Sequence, residues 1–353
     1  MKVAYLIPGD DAIGPNIFTL NLIKGMMEIP GFECEVFHFN RQEKYTNKLI
    51  FPVPCRALQF KEKYDFSRFD IIHSTQIYAD CYVAFHKLYN CNKCITSMHC
   101  FMYPDFIQRK GYVFGWLDCQ IWKYALNKIS NVIVSSSAQQ RYYEKHLNNN
   151  HCYNIIPYGI PEMSFVGVDK DVENKIIEFK RDYQLLCGCG SLIIRKGFHH
   201  LIAYLSHNPK AAVVLIGEGT EKENLIKQAN DCGVIDRVLF LGFLKGSYNY
   251  YPLFDAYCLS SNSEGFGLAM LEAMCVRAPI ICSDLDIYRD YFNETNVGLF
   301  KYGDQESFDR AADKVLANKE YYSDQSRNLY DNIFALHLMA EKHYSYYKRI
   351  INL

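Results

Sequence analysis

No stretch of this 353-residue chain approaches the ~18 consecutive apolar residues that a membrane-spanning helix requires, so no helix is expected to cross a bilayer. Net charge is nearly absent as well. Thirty-eight Lys and Arg stand against 39 Asp and Glu, and without a dense basic patch nucleic acid is not an expected partner. The 14 cysteines follow neither a signal peptide nor the spacing of a disulfide framework. Free thiols in a reducing cytoplasm are therefore the expectation. Tryptophan is scarce: the chain has two, Trp116 and Trp122, close together in one segment. What is present is apolar material, 49% of residues, enough to bury two cores in a chain of this length.

Short apolar runs alternate with amphipathic segments, the pattern of parallel α/β sheets. Strands are expected at residues 3–7, 34–39, 70–73, 93–98, 131–135 and 154–156, and again at 185–189, 212–216, 238–241, 255–260 and 279–282. The segment Pro157-Tyr158-Gly159-Ile160-Pro161 separates the two sets. Two Rossmann-like lobes are expected, residues 1–160 and 161–335, with a cleft between them and a last helix, 336–353, returning to the first lobe. Ligands of open α/β sheets bind beyond the strand C-termini, which places the expected site in that cleft.

Chemistry concentrates in Ser263-Glu264-Gly265-Phe266-Gly267-Leu268-Ala269-Met270-Leu271-Glu272-Ala273-Met274. A buried strand, Asp255 to Ser260, leads into a glycine turn and then a helix. The free N–H groups of a helix N-terminus and its positive dipole end suit a phosphate. If helical throughout, the eight residues from Glu264 to Glu272 rise roughly 12 Å. Two carboxylates so spaced bracket an elongated ligand. Glu272 also sits among Leu271, Ala273 and Met274, a poor setting for a merely solvated side chain. A second segment, Leu185 to Ile202, runs from a buried strand through Gly188-Cys189-Gly190 to Arg195-Lys196-Gly197 and a helix. Cations are ill placed at a helix start unless an anion is near.

The ordered set resembles the retaining glycosyltransferases of family 4, whose fold is GT-B and whose mark is a Glu-x7-Glu motif. The resemblance runs from about residue 185 to 300. It implies that Glu264 lies at the donor sugar, that Glu272 bonds the nucleotide ribose, and that the amides of Gly265, Phe266, Gly267 and Leu268 hold the diphosphate. Lys196 would contact the pyrophosphate. Ser191 stands where the family usually has an arginine, and Arg195 is the candidate to replace it. Val213 to Gly219 and Arg237 to Phe243 continue the order, the latter lining the base in the family. In the first lobe the resemblance assigns Gly14, after the first strand, to the approach of sugar and diphosphate. It assigns His99, in Thr96-Ser97-Met98-His99, to the donor sugar or the acceptor, although a lone histidine is more often structural.

The function implied is transfer of a sugar, with retention, from a nucleotide-diphosphate donor, UDP-linked, to a glycan or lipid-linked saccharide in surface polysaccharide synthesis. The alternatives are a GT-B sugar-nucleotide epimerase and a non-catalytic GT-B scaffold subunit. A dehydrogenase is disfavoured because Gly9 to Asn16 lacks Gly-x-Gly-x-x-Gly spacing and no acid closes the second strand near Phe39. No cofactor and no metal are expected. Cys91, Cys94, His99 and Cys100 tempt a zinc reading, but a strand over 95–98 would draw His99 away from the cysteine pair. Asp284-Leu285-Asp286 resembles the metal motif of the other glycosyltransferase fold only superficially.

Residues 109–128 combine both tryptophans with Tyr112, Phe114, Tyr124 and the cations Arg109, Lys110, Lys123 and Lys128. That is the composition of an interfacial helix, and equally of one packing its aromatic face on a sheet. Residues 1–160 carry 17 Lys and Arg against 13 Asp and Glu, while the remainder carries 21 against 26. An anionic membrane surface is therefore an expected further partner, and the expected location is cytoplasmic, peripheral on the inner face of the membrane.

Overall fold

The computed structural model describes residues 1–39, 48–91, 93–165 and 167–352. The chain divides into two compact units, Met1–Pro161 with Phe334–Leu353, and Glu162–Ile333. In the first unit the strands are β1 (Lys2–Ile7), β2 (Glu33–Phe39), β3 (Cys55–Leu58), β4 (Ile71–Thr75), β5 (Cys94–Ser97), β6 (Asn131–Val134) and β7 (Cys152–Ile155). They form one sheet in the order β3-β2-β1-β4-β5-β6-β7. Every pairing is parallel; Val3, for example, faces Cys34 on one side and Ile71 on the other. In the second unit β8 (Gln184–Cys189), β9 (Ala211–Ile216), β10 (Val238–Gly242), β11 (Ala256–Leu259), β12 (Ile280–Ser283) and β13 (Gly298–Phe300) form a parallel sheet in the order β10-β9-β8-β11-β12-β13. Both units are thus Rossmann-like α/β layers. All six residues of β9 are buried, as expected of a strand covered on both faces.

The helices of the first unit are α1 (Gly14–Met27), α2 (Gln76–Phe85), α3 (Met102–Lys110), α4 (Tyr112–Leu126) and α5 (Ser137–His146); those of the second are α6 (Lys170–Lys180), α7 (His199–His207), α8 (Lys222–Asp231), α9 (Leu268–Cys275), α10 (Gln305–Ala317) and α11 (Lys319–Leu329). A last helix, α12 (Leu336–Ile351), belongs to the first unit. Its buried face includes Leu336, Met339, Ala340, His343, Tyr346, Tyr347 and Ile350. Tyr347 Oη lies 2.5 Å from Nδ1 of the buried His73 on β4, which in turn bonds Ser97 Oγ of β5 at 2.7 Å. The two stretches of chain that leave and re-enter this unit run side by side, with Ile160 N donating to Phe334 O at 3.0 Å.

The segment expected to be one interfacial helix is two, α3 and α4, with Gly111 between them at φ +78°. Its tryptophans part company. Trp122, on the inner face of α4, is 2% exposed, whereas Trp116 is 44% exposed. Trp122 Nε1 donates to Asp80 Oδ2 at 2.7 Å, and Ser74 Oγ donates to Asp80 Oδ1 at 2.6 Å. Burial pushes the Asp80 carboxyl up to about 6. Those bonds join β4, α2 and α4 through one fully buried side chain. Asp80→Ala strands both donors, and the expected loss is about 2–4 kcal/mol of stability, read as a lowered urea midpoint of the first unit. A midpoint equal to wild type would show that the donors find other acceptors.

Candidate functional site

In the second unit the strand order reverses between β8 and β11, and the loops after these two strands carry the candidate residues. The loop after β8 ends in a short 3-10 turn, Ile194–Lys196, and the loop after β11 leads to α9. Lys196 Nζ donates to Glu264 Oε1 at 2.6 Å, joining residues 68 apart in the chain. Ser261 Oγ donates to the same oxygen at 2.5 Å. Glu264 is only 8% exposed. Both bonds use Oε1, and among the described residues no hydrogen bond reaches Oε2.

Backbone contacts hold the two loops in register. Ser260 Oγ donates to Lys196 O at 2.8 Å, Asn262 N to Arg195 O at 2.9 Å, and Arg195 Nη1 to Ser263 O at 3.2 Å. Beneath them Ser283 Oγ donates to Ser261 O at 2.5 Å. Gly197 shows why this approach needs glycine: at φ +61° a Cβ there would stand 2.0 Å from Ser260 O. The Arg195 guanidinium thus lies against the carbonyl of Ser263, immediately before Glu264.

Gly265 and the buried Phe266 turn the chain into α9, with Gly267 as its N-cap in the left-handed conformation, φ +80°, and Leu268 as first helical residue. Phe266 O accepts from Tyr288 Oη at 3.0 Å. The helix begins four residues after Glu264, so the two glutamates are not separated by two turns of one helix. Glu264 sits in the loop and Glu272 in the second turn of α9. Burial pushes the Glu272 carboxyl up to about 7, with Cys189, Tyr251 and Tyr257 in electrostatic reach. No hydrogen bond or ion pair reaches the Glu272 carboxylate among the described residues.

In the first unit Gly14 is the first residue of α1, and a side chain there would meet nothing within 4 Å. One turn on, the Phe18 ring packs edge-on against His99, centroids 4.8 Å apart. His99 follows β5, is buried, and bonds through Nδ1 to the phenol of Tyr158, which sits in the connecting segment after β7. Its Nε2 is buried without a hydrogen-bond partner among the described residues. Burial, with His343 adding to it, pulls the imidazole down to about 3.

Asp284 and Asp286 both pair with Arg289, and Cys94 belongs to the core around β4 and α2. Cys91 closes a 3-10 turn, Leu88–Cys91, and its side chain lies outside the described residues. Among the described residues no group of three or more His, Cys, Asp or Glu could hold a metal ion.

Residues 169–332, nearly the whole second unit, match the family glycosyl transferases group 1. The O-antigen biosynthesis glycosyltransferase WclY of Escherichia coli is 29% identical over 312 residues, 83% of each chain. The chain is a glycosyltransferase. The lipopolysaccharide core biosynthesis glycosyltransferase LpsE of Rhizobium meliloti is 29% identical over 148 residues, 42% of this chain and 44% of that one. Among solved structures, Anabaena Alr3699/HepE in complex with UDP superposes with a TM-score of 0.80 at 16% identity, covering 99% of this chain and 100% of that one.

Two side chains that contact the candidate residues, one in each unit, carried no usable signal in the sequence. Ser261, which shares the Glu264 oxygen with Lys196, is one of several serines in Ser260-Ser261-Asn262-Ser263, and nothing local marks which one turns inward. Tyr158, one of 28 tyrosines, reaches His99 across 59 residues.

Proposed function

We propose that this glycosyltransferase is a retaining enzyme of family 4 that moves a sugar from a UDP-linked donor to a glycan or lipid-linked saccharide in surface polysaccharide synthesis. The observation that carries the reading is the meeting of Lys196, Arg195 and Glu264 beside the N-terminus of α9, at the switch point of the second sheet. The O-antigen and lipopolysaccharide roles printed for WclY and LpsE, and the UDP held by HepE, support the acceptor and donor classes.

The chemistry follows from where charge develops. The bond between the anomeric carbon and the β-phosphate oxygen breaks, and its electron pair leaves with UDP. The acceptor hydroxyl attacks from the same face and passes its proton to the departing phosphate oxygen. Lys196, Arg195 and the amides of Gly265 to Leu268 offset the charge on that phosphate, the task a metal performs elsewhere. Glu264 has one oxygen committed to Lys196 and Ser261, which suits a residue that positions the sugar through the other. Glu272 would take the ribose hydroxyls, and His99 would bond a sugar oxygen.

A thermal-shift screen of nucleotide sugars is the first test, because a true donor stabilises the native state by mass action. UDP-sugars should raise the melting temperature, and the transfer they support should persist in EDTA with retained anomeric configuration. A requirement for Mn²⁺, or an inverted product, would overturn the mechanism.

The membrane reading rests on the exposed face of α4 and the cations on either side of it. Val113, Phe114, Trp116, Leu117, Ile121 and Tyr124 are all exposed, and the cations Arg109, Lys110 and Lys128 flank them. Among the described residues no helix is long and apolar enough to cross a membrane. An apolar stripe plus cations is the pair of weak signals that together give reversible surface binding. Binding to vesicles containing anionic lipid should fall with salt, and fall further in Trp116→Ala/Lys123→Ala without loss of nucleotide affinity. Wild-type protein that ignores such vesicles at low salt would leave a soluble acceptor as the better reading.

A further inference from the structure

His99 and Tyr158 raise a question of proton placement that the transfer reaction does not answer by itself. A neutral imidazole has one N–H and one bare nitrogen, and the bond made at one nitrogen decides the state of the other. The partner at Nδ1 is the Tyr158 phenol. Both side chains are buried, and Phe18 packs against both rings, at 4.8 Å from His99 and 4.6 Å from Tyr158, so neither can swing away without opening the start of α1.

A phenol O–H is a stronger donor than an imidazole N–H, and a bare imidazole nitrogen is a stronger acceptor than a phenol oxygen. The favoured arrangement puts the phenol proton in the bond to Nδ1 and the imidazole proton on Nε2. That nitrogen is buried with no partner among the described residues. A buried N–H without an acceptor is costly and rare in a native fold, and an oxygen brought by a ligand would satisfy it.

We propose that Tyr158 is a positioning residue that locks His99 with its proton on Nε2, so that His99 presents a hydrogen-bond donor, and not a base, to an oxygen of the substrate. The inference rests on the reading of His99 as substrate-facing. The surroundings agree with a fixed neutral ring: the titratable neighbours are His343 on α12, whose own imidazole burial pulls down to about 4, His73 on β4, which burial holds well below its ordinary value, and Cys100 beside Tyr158. Burial holds the Tyr158 phenol well above its ordinary value, so the proton it donates stays in place.

Nitrogen-15 NMR of histidine-labelled, ligand-free protein tests the proposal directly, with the His99 signals assigned by their loss in His99→Gln. The expected spectrum shows an unprotonated Nδ1 and a protonated Nε2, unchanged between about pH 6 and 8, since a ring at about 3 does not titrate there. Tyr158→Phe should give a mixed or reversed tautomer and about a tenfold lower kcat/KM with the UDP-sugar selected by thermal shift. A protonated Nδ1 in the wild type, or a wild-type tautomer in Tyr158→Phe, overturns the proposal. The first of these needs no variant to fold. A wild-type transfer rate in His99→Ala would instead remove the substrate role beneath the proposal, a failure distinct from a wrong tautomer.

Discussion

Lys196→Ala is expected to lower sugar transfer by about 10²–10³-fold, the usual cost of losing one preorganised charge or donor at a developing oxyanion. Two effects combine. The departing diphosphate loses a cation, and Glu264, 8% exposed, loses the ammonium that holds it at 2.6 Å. Removing one member of a paired charge leaves the other desolvated without compensation, so Glu264 should rotate toward solvent. Lys196→Arg keeps the charge and should recover part of the rate. Initial rates of UDP release at saturating donor, beside a melting curve to confirm folding, provide the check. A rate unchanged in Lys196→Ala would separate the ion pair from catalysis and leave it as a loop clamp. Arg195→Ala should have a smaller effect, because its guanidinium is bonded to the Ser263 carbonyl.

Glu272→Ala is expected to weaken UDP binding by roughly 1.5–3 kcal/mol, the range for hydrogen bonds to a charged group. The carboxylate must be ionised to accept two ribose hydroxyls, and burial raises it to about 7 in the free protein. UDP affinity in calorimetry should therefore rise with pH through about 7 in the wild type and lose that dependence in Glu272→Gln. Stability moves the opposite way. The folded-state value lies above the unfolded one, ~4.3, so the native protein binds the extra proton between them. The stabilisation that this proton brings is fully present below the unfolded value and is lost as pH rises through about 7. Bound UDP should offset that loss. Equal affinity of wild type and Glu272→Ala for UDP would end the ribose assignment.

Much of the fold could be read from local pattern. Each expected strand appears within a residue or two of its place, because a strand covered on both faces must be a short apolar run, as in Ala211–Ile216. The short strands β3 and β13 escaped: Cys55–Leu58 has three exposed residues of four, and Gly298–Phe300 is three residues long. Such edge strands are held by one neighbour rather than by their own pattern. The GT-B reading likewise rested on local features, the glycine turns and the helix start near Glu264, whose geometry is set within about ten residues.

By itself, then, the sequence determined the alternation of strands and helices, the loops that carry Lys196 and Glu264, and the setting of Glu272 between the buried Leu271, Ala273 and Met274. Tertiary structure alone decided which of these meet. The Lys196–Glu264 pair depends on β8 and β11 being neighbours in the sheet, a pairing that skips β9 and β10 and has no local signature. Where α9 begins separated Glu264 from the helix that holds Glu272. Trp116 and Trp122 are alike in composition and neighbourhood, yet one turns to solvent while the other finds Asp80, 42 residues away. The physical reason is common to these cases: period and propensity act over a few residues, whereas a buried polar group is placed by the partner that satisfies it, and that partner comes from wherever the sheet order brings it.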